Sequence, residues 1–299
     1  MTIDPDQFSL TRTPVAEYNI NRALVRRLLS EQHPDLAHLP VRPVQSGFDN
    51  AMFRLGNLWG VRLPRRSIAA RLIVHEQNWL TQIAPRLTLP VPVPTRFGIP
   101  SPDYPCHWSV VPWLPGRCAD EEEAVASEAP TLAGFLRSLH IAAPENAPVN
   151  HLRGCPLQQR AIAVESRMHR LSRVTDFITP RLIQIWNEAL AAPVDLPPAW
   201  IHGDLYSRNV LVKRGVVSGI IDWGDMTSGD PATDLACVWS LFSNSSSRHE
   251  FFVAYGNVSE VTIKRAKGWA ILFGVMLLDT GLADDPRNAR IGECILHRI

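Results

Sequence analysis

Residues Trp200–Ile221 form a β-rich island inside a sequence that is otherwise helical from about residue 122 onward. The pattern predicts a strand at Val210–Lys213, a turn at Arg214-Gly215 and a return strand at Val216–Ile221. Three oxygen-bearing side chains are fixed by this hairpin. Asp204 and Asn209 lie five residues apart in the loop that enters it, and Asp222 follows 13 residues after Asn209, where it ends. A hairpin return brings the last carboxylate back beside the entering loop. Two carboxylates and an amide oxygen, with no ligating His or Cys pair among them, suit Mg²⁺. That ion takes few protein oxygens and completes its shell with water and phosphate.

The rest of the 299-residue chain frames the island. Its length suits one large domain or two lobes, and 45% hydrophobic with 20% charged residues is a globular composition. The first third reads as a helix at Glu17–Glu31, a strand at Val41–Gln45, a turn at Ser46–Asn50 and a strand at Ala51–Leu55. A turn at Gly56-Asn57 leads to a strand at Leu58–Leu63 and to a helix capped by Ser67 that runs to about Ile83. The segment Leu89–Ile99 is extended and proline-rich, and His107–Leu114 is an apolar strand. Pro115-Gly116 breaks the pattern. Helices are expected at Glu122–His140, then at Leu157–Arg173 and Phe177–Ala192 as a helical hairpin, and again from Pro231 to the end. The chain thus reads as α+β in two parts: 1–112, mixed, and 113–299, mainly helical.

Charge and cysteine usage narrow the function classes. Thirty Lys and Arg against 29 Asp and Glu give a net charge of +1, which disfavours a nucleic-acid-binding module. Residues 1–110 hold 12 Arg and 8 acids, and the first Lys of the chain is Lys213, so an anion site there must use Arg or backbone N–H groups. The five Cys are scattered and never spaced C-x-x-C, which argues against a disulfide framework or a structural zinc site. The start lacks the basic and apolar regions of a signal peptide, and the apolar stretch Trp269–Leu278 is short for a bilayer span. A cytoplasmic chain with no membrane, nucleic-acid or obligate protein partner is expected.

The run Ile201-His-Gly-Asp-Leu-Tyr-Ser-Arg-Asn-Val-Leu-Val212, followed by Ile220-Ile-Asp-Trp-Gly224 and Gly229-Asp-Pro-Ala-Thr-Asp-Leu-Ala236, resembles the aminoglycoside phosphotransferase family. That family comprises small-molecule kinases of protein-kinase-like fold. The order of Ser46–Asn50, Val61–Arg65 and Leu132–His140 adds to the likeness. The resemblance implies a bilobal fold, with a small N-terminal nucleotide-binding lobe of antiparallel sheet plus helix and a larger, mainly helical catalytic lobe. It implies that Asp204 orients the acceptor hydroxyl and accepts its proton, and that Asn209 and Asp222 hold Mg²⁺ on the phosphates of ATP or GTP. Arg62 stands where the family carries its phosphate-binding Lys. Glu76 is its implied partner, and Ser46 and Gly47 belong to the loop over the phosphates. Ser109–Trp113 is the implied hinge beside the base.

Only Asp225–Gly229 separates Asp222-Trp223-Gly224 from Asp230-Pro231, too little to dock a peptide, so a small-molecule acceptor is expected. An aminoglycoside comes first. Acids at Asp120–Glu123, Asp225, Asp279 and Asp284-Asp285 are compatible with a polycation, although the first run also reads as helix-dipole stabilisation on a solvated face. A macrolide, peptide antibiotic, amino alcohol or sugar remains an alternative. A kinase-like nucleotide-binding protein without turnover is the alternative of a different class. His202 and His140 read as structural, Asp230 as a cap for the helix at Pro231, and Asp234 as a brace for the catalytic loop.

Overall fold

The structure, a computed structural model, describes residues 15–44, 47, 49–256 and 258–299. They divide into two compact units. The first holds residues 15–116 together with Ser218–Asp225, and the second holds Arg117–Val217 and Met226–Ile299.

In the first unit the elements are α1 (Arg22–Gln32), β1 (Val41–Pro43), β2 (Asn50–Leu55), β3 (Trp59–Pro64), α2 (Ser67–Ile83), β4 (Arg96–Gly98) and β5 (Trp108–Pro112). The five strands form one antiparallel sheet in the order β1-β2-β3-β5-β4. Alternation along β3 separates two faces. Val61 and Leu63 are buried in a core with Leu24, Val25, Leu28 and Leu29 of α1, and Arg62 between them points to α2. Helix α1 starts five residues later than the sequence pattern suggests. Asn21 stops it from extending backwards, its side chain accepting the Leu24 N–H at 3.0 Å as an N-cap. Ser67 is the first residue of α2 rather than its cap. Glu17 takes the capping role from a distance, accepting the Ser67 N–H at 2.8 Å, and its anion also suits the positive end of the helix. In the expected turn Ser46–Asn50, Ser46 and Phe48 lie outside the described residues, as does Gln45 before them.

The second unit contains β6 (Arg117–Cys118), α3 (Ala129–Leu139), α4 (Ala161–Leu171), α5 (Pro180–Ala191), β7 (Ala199–Ile201) and β8 (Val210–Lys213). Strand β9 (Val216–Ile220) begins in this unit and ends in the first. Then come β10 (Thr227–Gly229), α6 (Ala232–Leu235), α7 (Cys237–Leu241), α8 (Ser245–Tyr255), α9 (Glu260–Asp284) and α10 (Pro286–Arg298). The turn between β8 and β9 falls on Arg214 and Gly215, both at positive φ (55° and 80°), the requirement of a two-residue hairpin loop. Helix α3 starts at Ala129, not Glu122. Pro130 lacks an N–H and fits only a first helical turn, so the helix cannot extend backwards through it. Helices α4 and α5 lie against α9 and meet each other where Trp186 Nε1 donates to Glu165 Oε1 at 3.1 Å. Helix α9 has 25 residues and is long and apolar enough to cross a membrane by composition, but most of its apolar stretch is buried among the other helices of the unit. It is the core helix, and Trp269–Leu278 is its buried centre.

Candidate active site

In the second unit, β7 pairs antiparallel with β10 and delivers the chain into the loop His202–Asn209. Gly203 sits at φ 85°, a conformation that glycine adopts without strain. Asp234, fully buried, receives the backbone N–H of His202 at 2.7 Å and of Gly203 at 2.9 Å. His140 Nε2 lies 3.2 Å from the same carboxylate, and its Nδ1 lies 2.8 Å from the Tyr255 hydroxyl. His202, also fully buried, accepts the Asp204 N–H at its Nδ1, 3.2 Å away. Both histidines are thus parts of the scaffold. Asp204 emerges with its side chain 20% exposed, one carboxylate oxygen 2.8 Å from Arg153 Nη2. Asn209 donates through Nδ2 to the Asp204 carbonyl at 2.8 Å and to its carboxylate at 3.3 Å. With its nitrogen so engaged, the amide of Asn209 presents its oxygen as the remaining ligand atom.

In the first unit, β3 places Arg62 between Met52 of β2 and Ser109 of β5. Its guanidinium is forked. Nη1 donates to Glu76 Oε2 at 2.5 Å and Nη2 to Asp222 Oδ1 at 2.7 Å. Arg62 and Glu76 are buried, whereas half of the Asp222 side chain is exposed. Burial pushes the Glu76 carboxyl up to about 7, against the pull of Arg62. Asp222 holds φ 65°, left-handed, where Asp is one of the better tolerated side chains. The next residues fix it there. Trp223 is fully buried and donates through Nε1 to the Ile220 carbonyl at 3.1 Å, and Gly224 sits against Leu72 of α2. Gly47 closes its turn by donating to the Asn50 carbonyl at 3.0 Å and accepting from Arg65 at 2.9 Å.

The candidate residues therefore gather into two groups: Asp204 with Asn209 in the second unit, and Arg62, Glu76 and Asp222 in the first. Ser46 lies outside the described residues. Two members went unremarked in the sequence. Arg153 sits in a loop with no periodicity to single it out. Asp49 pairs with Arg66 at 2.5 Å, and burial raises its pKa, with Asp222 and Asp225 adding to the effect. Among the described residues no cluster of three or more His, Cys, Asp or Glu could hold a metal by itself. Asn209 in the second unit and Asp222 in the first each carry a hard oxygen of the kind Mg²⁺ takes alongside phosphate.

The acidic run Asp120–Glu123 does not start a helix, since the next α-helix begins at Ala129; Glu121 and Glu123 are exposed, whereas Asp120 and Glu122 are partly buried. Arg287 grips Asp120 with two bonds at 2.5 and 2.8 Å and Glu121 at 3.0 Å, while Glu122 accepts the Gly215 N–H at 3.2 Å. Asp279 is paired with Arg167 and Arg170, and Asp285 with Arg208. A cavity of about 910 Å³ lined by Phe177, Leu182, Arg248 and Leu296, among others, contains none of the candidate residues.

Comparison with known proteins bears on these groups. The model of the phosphotransferase enzyme family matches residues 40–269. A viomycin phosphotransferase from Streptomyces vinaceus is 43% identical over 58 residues, 18% of this chain, and the aligned stretch spans only 20% of that relative's length. Among solved structures, the GDP complex of aminoglycoside 2'-phosphotransferase-IIIa matches with a TM-score of 0.73 at 19% identity, covering 93% of this chain and 98% of that one. A macrolide 2'-phosphotransferase from Brachybacterium faecium matches at 0.61 and 21% identity, covering 92% and 97%. The shared fold is the α+β, protein-kinase-like one expected from the sequence.

Proposed function

Because the chain belongs to the phosphotransferase enzyme family, whose model spans residues 40–269, we propose that it transfers the γ-phosphoryl group of ATP or GTP to a hydroxyl of a small molecule. The observation that supports this reading is the loop His202–Asn209, in which buried Asp234 fixes the backbone and Asp204, the loop's single acid, keeps its side chain 20% exposed. Asp204 orients the acceptor O–H and takes its proton as the oxygen bonds to phosphorus. The bond from phosphorus to the nucleoside diphosphate breaks, and the diphosphate leaves. Asn209 and Asp222 would each offer an oxygen to Mg²⁺, which would neutralise phosphate charge. Arg62, fixed by Glu76, serves the phosphates in place of a lysine, and a guanidinium does so with two parallel donors. Ser46 and Gly47 belong to the turn over the phosphates.

For the acceptor, the family resemblance puts an aminoglycoside first. A second reading, an acceptor that is not a polycation, is favoured by one observation. Asp120, Asp279 and Asp285 are each held by an arginine of this chain. The test is mass spectrometry of an acceptor panel after incubation with Mg²⁺ and either ATP or GTP. Aminoglycosides, macrolides, viomycin-like peptides, amino alcohols, sugars and hydroxy acids make up the panel. A phosphoryl mass gain that Asp204→Ala abolishes supports the proposal. Gain on no acceptor, with the nucleotide bound, would turn the reading to a non-catalytic nucleotide binder.

A further inference from the structure

The segment that carries Arg153 is fastened to β7 and β10, the two strands that present the loop His202–Asn209. The Thr227 hydroxyl of β10 donates to the Pro148 carbonyl at 2.6 Å and accepts the Asn150 N–H at 3.1 Å. On the other side of Arg153, the Asp230 N–H donates to the Gly154 carbonyl at 2.9 Å. Gly154 itself, at φ 66°, is wedged in. A Cβ there would stand 2.5 Å from Ile201 Cδ1 and 2.9 Å from the Cα of Gly229. The Arg153 side chain is fixed as well. Its guanidinium lies 5.3 Å above the ring of Phe273, a buried residue of α9 that also packs against Trp269 and Tyr206. From that seat Nη2 donates to Asp204 Oδ1 at 2.8 Å, the two side chains being 11% and 20% exposed.

A base that takes a proton from one hydroxyl must keep one orientation. At Asp204 the Asn209 contact to the carboxylate is long, 3.3 Å, and that amide bonds chiefly to the Asp204 carbonyl. The Arg153 bond is short and joins opposite charges, the stronger kind, in a place where little water screens it. The segment needs no such bond for its own anchoring, because the backbone bonds and the wedged Gly154 already supply it. We infer that Arg153 is a positioning residue for phosphoryl transfer. It holds one oxygen of Asp204, sets the direction of the carboxylate toward the acceptor hydroxyl and favours its ionised form. This rests on the phosphotransfer reading above. The proton passes from the acceptor to Asp204 and not to Arg153, which is a cation throughout. The aromatic seat suits a planar guanidinium better than a lysine ammonium, a point charge on a flexible stem.

The test follows Mg²⁺-dependent transfer from ATP or GTP in the full chain, to the acceptor that gains mass in the panel and to water as released phosphate. Arg153→Ala should lower kcat about tenfold or more, the usual yield of a hydrogen bond to a charged group. The KM of the acceptor, the nucleotide affinity and the melting temperature should stay near those of the wild type. Added guanidinium ion, kept below denaturing concentrations, should restore part of that rate and saturate, and should do nothing for Asp204→Ala. Arg153→Lys should recover part of the rate. Arg181→Ala, which removes the same charge from an exposed position on α5, should match the wild type. If Arg153→Ala fails to fold, Arg153→Met, which keeps the packing on Phe273, is read for the same split between kcat and KM. Wild-type kcat in the folded variant overturns the inference, as does a loss confined to acceptor KM or nucleotide affinity. A lower kcat that comes with a lower melting temperature and resists guanidinium makes Arg153 a strut of the fold and overturns it too. Transfer that needs Asp204 but not Arg153 leaves the kinase reading standing. No transfer by the wild type to any hydroxyl, water included, overturns the kinase reading and the inference with it.

Discussion

Glu76 occupies a position that a helix such as α2 ordinarily fills with an apolar side chain. Its buried neighbours on the same stripe are Ala69, Ile73, Leu80 and Ile83. The carboxylate is held there by Arg62, and each loses its main partner if the other is cut back. Loss of one member of such a buried pair typically costs about 3–5 kcal/mol. The pair also has a pH signature. The folded chain raises the Glu76 pKa from 4.5 to about 7, so the folded state favours the protonated form. Its contribution to stability is then present in full below the unfolded value and is lost as pH rises through about 7. Urea unfolding at pH 5, 6, 7 and 8 should show a steeper decline with pH for the wild type than for Glu76→Gln, and parallel curves would contradict this assignment. At Asp204 the expected change is in rate. Asp204→Ala should lower kcat by about 10²–10⁴, the range for loss of a positioned general base, without a matching loss of nucleotide affinity by calorimetry.

The loop His202–Asn209 is built on Asp234, and the consequences belong to the elements that it joins. Asp234→Ala would strip the His202 and Gly203 N–H groups of their acceptor while both stay buried. At about 1–3 kcal/mol for each orphaned donor, the expected loss is several kcal/mol in denaturant unfolding, together with a fall in kcat as the loop loosens. Asp234→Asn, which keeps one acceptor oxygen, should lose less. Behind the same loop, Gly229 of β10 has no room for a side chain, since a Cβ there would stand 2.6 Å from the Cα of Gly154. Gly229→Ala should therefore destabilise the unit, measurably as a lower melting temperature. Much of this was legible in the sequence. The spacing of Asp204 and Asn209, the Arg214-Gly215 turn and the strands around Arg62 are local signals of periodicity and turn chemistry. Asp234 was legible as a brace because it recurs in a motif of fixed order. The boundaries of α1, α2 and α3 were not, because they depend on Asn21, on Glu17 reaching across from another segment and on Pro130. Nor was the fate of the acids at 120–122. Arg287 grips two of them from 166 residues or more further along the chain, and no local pattern encodes that pairing. Arg153 escaped for the same reason, its partner lying 51 residues away.

At the scale of the whole chain, the proposed roles divide along the line that divides the fold, except that Asn209, proposed to hold the metal, shares a unit with Asp204. Arg62, Glu76 and Asp222 belong to one compact unit although 160 residues separate Arg62 from Asp222, because Ser218–Asp225 returns to the unit that the chain left at Gly116. Asp204 belongs to the other unit. Nucleotide affinity and phosphoryl transfer should therefore be separable by mutation. A ligand at about 100 times its Kd stabilises the folded state by about 2.7 kcal/mol, which for a chain of this size corresponds to a rise in melting temperature of roughly 4–5 °C. Mg²⁺ with ADP or GDP should produce that rise in the wild type. Asp204→Ala should keep it and lose all product. Asp222→Ala should lose most of it, because the variant gives up a metal oxygen and leaves the Nη2 of Arg62 without the carboxylate it now meets at 2.7 Å. The result that would undo this division is a full nucleotide-induced rise in Asp222→Ala together with its loss in Asp204→Ala. The carboxylate that serves the metal would then be the one on the loop, and the base would have to be sought elsewhere.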